Sequence, residues 1–411
     1  MIKPQTLKGF RDFLPREAKK RQYVINILKK VFERYGFEPL ETPVLEYEEI
    51  LSGKYGEEGD KLMYRFEDNG KRKVAMRYDQ TVPLARVVAQ YENQITFPFK
   101  RYQIQPVWRA ENTQKGRFRE FLQCDIDTVG TSSMFSDLET LQCVDSAMKA
   151  LGFTDFTILI NSRKVFQTLG PNSNQITRIL DKEEKIGKEG VLKELNEIVG
   201  SDEEATKIFN MLKNLQPVQI PQRLKEILDK GRELNLNLFP MFFLARGLDY
   251  YTDLIFEIKV EKYKGGSVGG GGRYDNLIGM FTDKQIPAVG FAFGFDRLLE
   301  AMDELDLFPA SLSLSSTQVL ITVFSEELKE KSLEICSRLR SKNINTEIYL
   351  GEIKEKNPLE KQLKYADQKG IAHVIIIGPE EAERNLVTLK NLKTREQKQL
   401  MLENVISILS S

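Results

Sequence analysis

Residues 97–130 have the sequence FPFKRYQIQPVWRAENTQKGRFREFLQCDIDTVG, which is the most informative segment of the chain. Its two ends, FPFKRYQIQPVWRA and EFLQCDIDTVG, are predicted strands joined by a charged connection. Side chains alternate across a strand. One face of the second strand therefore carries an aromatic ring, an amide and two carboxylates: Phe121, Gln123, Asp125 and Asp127. The opposite face is apolar and predicts a core contact, and on this pattern alone we favour a solvated position for the polar face.

The connection between the strands, residues 109–119, has the sequence RAENTQKGRFR. It carries four cations: Arg109, Lys115, Arg117 and Arg119. Tight hairpins use about two to five residues, so a connection of this length indicates a function. Arginine suits bidentate contact with phosphoryl oxygens. A site with arginines at its rim and carboxylates on its floor would fit a ligand that has both polyphosphate and ammonium groups.

Composition excludes several classes of protein. The chain has 411 residues, which indicates roughly two to three domains, and a hydrophobic content of 41% is ample for packed cores. The 60 basic and 60 acidic residues cancel, so nucleic acid would have to bind through local patches. No apolar run approaches the ~20 residues of a membrane span, and the first residues, MIKPQTLKGF, lack the apolar stretch of a signal peptide. We therefore expect a cytoplasmic protein with no membrane contact.

The few histidine and cysteine residues restrict the chemistry. His373 is the single histidine, so clustered-histidine metal sites are excluded, and its place before an apolar run predicts a structural role at a strand. Cys124, Cys143 and Cys336 lie far apart, so we expect neither a disulfide framework nor a zinc site. The chemistry must therefore use arginine, carboxylate, amide and tyrosine side chains.

Sequence patterns also divide the chain into regions. Residues 17–35 have apolar positions at helical spacing, and Gly36 is placed to end the helix. The charge-rich residues 162–235 interrupt strand patterns and are predicted to form a helical insertion. A linker follows at Pro309. Strands and helices then alternate over residues 317–411, which predicts a small α/β domain with a mainly parallel sheet.

Two further segments supply side chains of the same kinds. LARGLDYYTD places Arg246 before a strand, with Tyr250 and Tyr251 leading into it. AVGFAFGFDRLLE predicts a strand that runs into a helix whose first turn holds Asp296 and Arg297. Residues at the start of a helix beside a glycine-rich strand can face a nucleotide.

A glycine run, GGSVGGGGRYD at residues 265–275, needs its own explanation. It does not match GxxxxGK[ST], and the residues after it do not predict the helix that follows GxGxxG. Glycine lets a backbone lie close to a ligand or to another strand. The run is therefore glycine-rich without being a phosphate loop.

Together these segments resemble the class II aminoacyl-tRNA synthetases, and among them the histidyl-tRNA synthetase family. TLKGFRDFLP resembles the N-terminal signature of that family, and FERYGFEPLETPVLE resembles the first class II motif. RYQIQPVWRAENTQKGRFREFLQCDID resembles the second motif, and GFAFGFDRLL the third. LARGLDYYT and GGRYD resemble the two signatures that separate histidyl enzymes from other class II members. These matches cover almost the whole chain in the right order.

The resemblance implies both a fold and an activity. The fold is an α+β catalytic domain with a mainly antiparallel sheet over residues 1–310, which includes the helical insertion, and a C-terminal α/β anticodon-binding domain over residues 317–411. The activity is that of an aminoacyl-tRNA ligase, which converts histidine and ATP into histidyl-adenylate and pyrophosphate and then transfers histidine to the 3′ end of tRNA(His). Mg²⁺ bound with ATP is the implied cofactor, no zinc or organic cofactor is expected, and the first motif implies a homodimer.

The resemblance also assigns residues to ATP. Arg109 would hold the α-phosphate, Phe121 would stack on adenine, and Glu111 would contact the adenine edge. Arg117 and Arg297 would grip the outer phosphates. Arginines and Mg²⁺ would thus stabilise the charge that develops as pyrophosphate leaves.

A second set of residues is implied to bind histidine: Asp79, Thr81, Gln123, Asp127, Tyr250, Tyr251 and Tyr274. The first three would take the α-amino group, while Asp127 and Tyr251 would contact the imidazole. Arg246 would bridge the histidine carboxylate and the α-phosphate, and with Arg109 and Arg297 it completes the implied catalytic set. The glycines at 269–272 would lie against the amino acid, with Arg273 and Tyr274 at their end.

Two other functions are weighed against this one. A regulatory subunit of ATP phosphoribosyltransferase shares the catalytic-domain fold but typically lacks the C-terminal domain and loses motif arginines. This chain has Arg109, Arg246 and Arg297, and it continues well past the linker. A synthetase-like sensor domain of a stress kinase ranks last, because the chain has no kinase segment.

Overall fold

The computed structural model describes the chain apart from residues 1, 114–115, 168, 171, 181, 214–219, 247–249, 310–311, 313–314, 354–355 and 411, and apart from the side chains of residues 57, 58, 174, 184 and 185. Lys115 of the cationic connection therefore lies outside the described residues. The chain divides into two compact units, one of Met1–Asp12 and Arg21–Phe308 and one of Phe13–Lys20 and Pro309–Ser411.

The strands up to residue 294 are β1 (Glu38–Pro39), β2 (Leu45–Tyr47), β3 (Arg65–Glu67), β4 (Lys73–Met76), β5 (Phe99–Trp108), β6 (Glu120–Val129), β7 (Phe156–Ser162), β8 (Leu238–Pro240), β9 (Leu254–Val260), β10 (Gly269–Arg273) and β11 (Ala288–Gly294). Among the described residues, eight of them form one sheet in the order β1-β5-β6-β11-β10-β9-β7-β8. The outer pairings, β1–β5 and β7–β8, are parallel. The five inner pairings, from β5–β6 across the sheet to β9–β7, are antiparallel. The predicted mainly antiparallel sheet is confirmed. A small sheet, β2-β4-β3, lies apart from it.

The helices up to residue 304 are α1 (Pro15–Arg34), α2 (Glu48–Leu51), α3 (Gly56–Lys61), α4 (Thr81–Gln90), α5 (Met134–Ala150), α6 (Arg163–Gln167), α7 (Ser173–Leu180), α8 (Glu183–Val199), α9 (Asp202–Lys213), α10 (Gln222–Glu233) and α11 (Phe295–Glu304), with a 3₁₀ turn at Ile278–Met280. Helix α1 buries the apolar positions predicted from its spacing, and Gly36 follows it with φ +75°. Helices α6 to α10 occupy the stretch that was predicted as a helical insertion. No helix in the described part of the chain is long and apolar enough to cross a bilayer.

The main core lies on one face of the large sheet. Cys124 and Ile126 of β6 are fully buried there with apolar side chains of α1, α5 and α11. Their strand neighbours, Asp125 and Asp127, face the other way and line a cavity. The alternation read from the sequence of β6 thus separates a core face from a cavity face.

The second unit contains β12 (Val319–Ile321), α12 (Lys329–Ser341), β13 (Thr346–Ile348), α13 (Pro358–Gln368), β14 (His373–Ile376), α14 (Pro379–Glu383), β15 (Val387–Asn391), β16 (Gln397–Leu400) and α15 (Leu402–Ser410). Its sheet has the order β13-β12-β14-β15-β16. Strands β13, β12 and β14 are parallel, whereas β15 and β16 are antiparallel. The expected α/β domain is present, but its sheet is mixed rather than mainly parallel, because β14, β15 and β16 follow one another without a long helical crossover.

Candidate active site

A cavity of about 610 Å³ lies on the face of the large sheet opposite the main core. It is lined by all of the site residues predicted from sequence: Asp79, Thr81, Arg109, Glu111, Arg117, Phe121, Gln123, Asp127, Arg246, Tyr250, Tyr251, Tyr274 and Arg297. These residues come from segments that are far apart in the chain. The tertiary fold therefore brings together side chains that sequence analysis could only group by resemblance.

The floor of the cavity follows a row of residues across four strands. Asp125 of β6 pairs with Ala292 of β11, Ala292 with Gly270 of β10, and Gly270 with Glu257 of β9. Neighbouring strands lie about 4.8 Å apart. The row thus has a carboxylate at each end and two small residues between them, which leaves room for a ligand above the sheet.

The glycines of this floor make room for functional side chains of the protein itself. A Cβ atom on Gly270 would collide with the guanidinium of Arg246, and one on Gly290 would collide with the carboxylate of Asp127. Glycine is required at position 271 for a different reason: a Cβ atom there would collide with the backbone of Gly290 on the paired strand. Residues Gly269–Arg273 of the run form a close-packed central strand, and the next described residues, Tyr274 to Leu277, are not helical.

One residue of that run does not face the cavity. Arg273 is almost fully buried and donates to Asp137, with an Nη2–Oδ1 distance of 2.9 Å, and to Ser136 Oγ at 2.9 Å. It therefore joins β10 to α5. Arg273 ends strand β10, and these contacts hold its side chain away from the described residues that line the cavity.

We call the surroundings of Asp79, Asp125 and Asp127 the buried end of the cavity, because each of these residues is at most 3% exposed. Arg101 of β5 stands opposite Asp127 and is completely buried, with its Nη2 2.7 Å from Asp127 Oδ2. The hydroxyl of Tyr274 donates to Asp127 Oδ1. The pattern of β6 alone favoured a solvated polar face, and that expectation is wrong. Arg101 and Tyr274 take the place of water around the carboxylate of Asp127.

Asp79 is held in a similar way. The hydroxyl of Tyr55 donates to Asp79 Oδ1 at 2.9 Å, the backbone N–H of Val82 donates to the same oxygen at 3.1 Å, and Tyr250 Oη lies 3.5 Å from Oδ2. Burial raises the pKa of Asp79 above its ordinary value, while these hydrogen bonds and Arg109 act against the rise. Sequence analysis missed both residues: Arg101 begins the quoted second motif but was assigned no role, and Tyr55 lies outside the quoted motifs.

We call the surroundings of Arg109, Glu111 and Arg117 the open end of the cavity. Arg109 donates from Nε to the carbonyl of Tyr78 at 3.1 Å, and its guanidinium lies 5.1 Å from the ring centre of Phe121. Arg117 is 41% exposed, and its Nη1 is 3.7 Å from Glu111 Oε2. These contacts are weak or use backbone carbonyls, so the cations are available to a ligand.

Two more arginines lie along the cavity. Arg246 donates from Nη1 to Glu257 Oε1 at 2.7 Å and is partly exposed. Arg297, in the first turn of α11, donates from Nη1 to the carbonyl of Ser267 at 3.1 Å. Its neighbour Asp296 is instead paired with Arg21 at 2.8 Å. The cavity thus places cations over its middle and open end, and carboxylates at its buried end.

Residues 9–298 match the family model described as histidyl-tRNA synthetase, and residues 318–411 match the model described as anticodon binding domain. The chain is 39% identical to the histidine–tRNA ligase of Cytophaga hutchinsonii over 99% of both chains, and 41% identical to that of Christiangramia forsetii over 97% of both. The crystal structure of histidyl-tRNA synthetase from Nostoc sp. PCC 7120 covers 100% of this chain and 99% of its own, with a TM-score of 0.85 at 30% identity.

Proposed function

This chain belongs to the histidyl-tRNA synthetase family, and from that premise we propose how its cavity carries out the reaction. It is an aminoacyl-tRNA ligase that attaches histidine to tRNA, and its C-terminal unit is an anticodon-binding domain. The regulatory subunit of ATP phosphoribosyltransferase is not favoured, because histidine–tRNA ligases match over the full length. The observation that carries the mechanism is the division of one cavity into a carboxylate-rich buried end and an arginine-rich open end.

In the proposed arrangement ATP occupies the open end. Phe121 stacks on adenine, Glu111 contacts the adenine edge, and Arg109 binds the α-phosphate. Arg117 and Arg297 contact the outer phosphates through their guanidinium groups. Mg²⁺ would arrive with ATP and neutralise phosphate charge.

Histidine occupies the buried end in this proposal. Asp79, Thr81 and Gln123 take its α-ammonium group. Its imidazole meets Asp127 and Tyr251, with Tyr250 and Tyr274 packed beside them. Arg246 lies over Gly270 between the two ends, where it can contact both the histidine carboxylate and the α-phosphate.

The first step then needs alignment more than proton transfer. The histidine carboxylate is ionised at neutral pH, so no general base is required. One carboxylate oxygen forms a bond to the α-phosphorus while the bond from that phosphorus to the bridging oxygen breaks, and pyrophosphate leaves with the electron pair. Arg109 and Arg246 stabilise charge on the α-phosphoryl oxygens in this step. The tRNA 3′ hydroxyl attacks the adenylate carbonyl in the second step, which releases AMP.

The assembly and location are further parts of the proposal. A homodimer fits the apolar side chains exposed around the small sheet, namely Val44, Leu45, Tyr47 and Phe66, of which the first two belong to the first-motif segment. The expected location is the cytoplasm, where protein synthesis takes place. We also keep the proposed domain limits, residues 1–310 and 317–411. Light scattering over a range of concentrations tests the dimer, and a constant monomer mass would contradict it.

The decisive experiment is histidine-dependent exchange of pyrophosphate into ATP, followed by aminoacylation of tRNA(His). We expect both activities with Mg²⁺ present, and no exchange when another amino acid replaces histidine. Exchange without aminoacylation would mean that the cavity assignment holds and the RNA-binding part fails. A purified protein that shows neither activity would favour a regulatory role.

A further inference from the structure

Asp125 is a carboxylate of the cavity floor that the proposed function does not use. It lines the cavity and is 2% exposed. Within the described part of the chain, its Oδ1 is buried and has no hydrogen-bond partner. A buried acceptor without a donor costs free energy. A ligand that supplies a donor at this point would remove that cost.

Each of the two neighbouring carboxylates already has a protein donor on one oxygen; the Oδ2 atom of Asp127 makes no hydrogen bond among the described residues, but it lies 2.7 Å from the Nη2 atom of Arg101. Asp127 already meets Arg101 on one oxygen and Tyr274 on the other. Asp79 has one oxygen filled by protein donors, and its other oxygen lies 3.5 Å from a tyrosine hydroxyl. Of the three, Asp125 therefore has the greatest capacity left for a ligand.

A second acceptor without a donor lies beside it. The Oε1 atom of Gln123 is buried and has no hydrogen-bond partner among the described residues. Gln123 and Asp125 are two residues apart on β6, so they share a face at a Cα spacing of about 7 Å. Both oxygens therefore border the same part of the cavity.

An ammonium group matches these acceptors better than an imidazole does. It has three N–H donors and a full positive charge. A largely neutral imidazole at pH 7 has one N–H donor and no charge to offset a buried carboxylate. Burial raises the pKa of Asp125 well above its ordinary value, opposed by Arg101 and reinforced by Asp127 and Asp79. A bound cation would favour the ionised form.

We infer that Asp125 binds the α-ammonium group of histidine, together with Gln123 and Asp79. The inference rests on the proposed function, because it assumes that histidine occupies the buried end. The inference adds Asp125 to the specificity residues of the buried end. It assigns Asp125 to the amino group of histidine rather than to the imidazole.

The test compares two ligands that differ in the ammonium group alone, histidine and imidazolepropionate, by calorimetric titration of the full-length protein. Asp125→Asn removes the charge and keeps the shape. We expect it to weaken histidine binding by roughly 10- to 100-fold, as for a lost charge-assisted hydrogen bond. Binding of imidazolepropionate should change by less than about twofold, because this ligand has no group for Asp125.

Controls separate this result from a loss of structure. Asp145→Asn changes a buried carboxylate of α5 that pairs with Lys149 outside the cavity lining, and it should leave both affinities unchanged. Asp125→Ala repeats the test if the asparagine variant misfolds, and near-ultraviolet circular dichroism checks the fold of each variant.

Equal weakening of both ligands would overturn the inference, because Asp125 would then act on the imidazole or on the fold. Unchanged histidine affinity would overturn it as well. Failure of the proposed function is seen separately: the wild-type protein would bind histidine with the predicted pattern but show no pyrophosphate exchange. Absence of histidine binding in the wild type would remove both.

Discussion

At the buried end of the cavity, the carboxylate of Asp127 is enclosed by Arg101 and Tyr274, and Arg101 has no exposed surface. At the open end, Arg117 is 41% exposed and stands 3.7 Å from Glu111. Both ends contain opposite charges, but they differ in how much water the protein has already removed. A buried ion pair holds its geometry because breaking it leaves an uncompensated charge, whereas an exposed pair contributes little.

This difference matches what the two substrates require. An amino acid must be distinguished from other amino acids of similar size, and buried polar groups discriminate strongly because a wrong ligand leaves them unpaired. ATP is recognised largely through its phosphates, which arginines can bind after exchanging their present contacts. The two ends can therefore be tested with substitutions that should have very different consequences.

The largest effect is expected for Arg101→Met at the buried end. The substitution leaves the carboxylate of Asp127 buried without its cation, so the free energy of unfolding should fall by about 3–5 kcal/mol. Denaturant unfolding followed by the fluorescence of Trp108, the single tryptophan, measures this change. The double variant Arg101→Met with Asp127→Leu should recover much of the stability but not the histidine-dependent exchange. An unchanged unfolding midpoint for the single variant would mean that the buried end is open to water.

Arg246→Ala tests the group that we place between the two ends. Loss of a cation that stabilises transition-state charge typically costs about 10²- to 10³-fold in rate. We expect a decrease of that size in kcat/KM for pyrophosphate exchange, with the circular dichroism spectrum unchanged. Arg232→Ala, which removes an arginine paired with Asp229 at the surface, is the matched control and should retain wild-type activity. A loss below about fivefold would remove Arg246 from the catalytic set.

Tyr55→Phe tests how the buried end positions Asp79. The hydroxyl of Tyr55 counteracts the rise that burial causes in the pKa of Asp79, so its removal should raise that pKa further. Histidine binding then requires a higher pH to ionise the carboxylate, and the acid side of the kcat/KM profile for histidine should move to higher pH. At neutral pH we expect a decrease of roughly tenfold, the value of a hydrogen bond to a charged group.

The control for this variant is Tyr64→Phe. Tyr64 has a buried hydroxyl without a hydrogen-bond partner in the described residues, and it does not line the cavity. Its pH profile should match that of the wild type. If both variants shifted the profile equally, Tyr55 would have a general structural role rather than one that acts through Asp79.

The smallest effect is expected for Arg117→Ala at the open end. Because this side chain is exposed and weakly paired, its loss should raise the KM for ATP by a few fold, in line with the ~0.2–1 kcal/mol of an exposed ion pair. The KM for histidine and the unfolding midpoint should stay unchanged. A decrease above about 100-fold in kcat would show that the open end is ordered as strongly as the buried end, which would contradict the difference between the two ends.

Sequence analysis predicted which residues belong to the site better than it predicted the side chains that those residues contact. The second strand of the opening stretch was predicted with the correct faces, because alternation has a period of two residues and needs no knowledge of the rest of the fold. The position of Arg101 opposite Asp127 was not predicted, because it depends on the pairing register of β5 and β6. The register of two paired strands depends on the loop that joins them and on which faces are buried, and neither can be read from one strand alone.

The glycine run shows the same limit from another direction. Its composition indicated that the backbone lies close to a ligand or to another strand, and its pattern did not match the known phosphate loops. Only the packing of β10 between β9 and β11 shows that Gly270 clears space for Arg246, whereas Gly271 is required by the neighbouring strand. The atoms that fill the space above each glycine belong to residues distant in sequence. Composition alone therefore does not identify them.

The pattern along the chain predicted the faces of β6 correctly, and the resemblance to a known family grouped the residues that line the cavity. The tertiary structure decided which of these residues are already paired and which remain available to a ligand. Periodicity and residue type are local properties and can be read along the chain. Burial and hydrogen-bond partners arise when distant strands take up their register. That step placed Arg101 and Tyr274 against Asp127 and left the Oδ1 atom of Asp125 without a hydrogen bond in the described part of the chain.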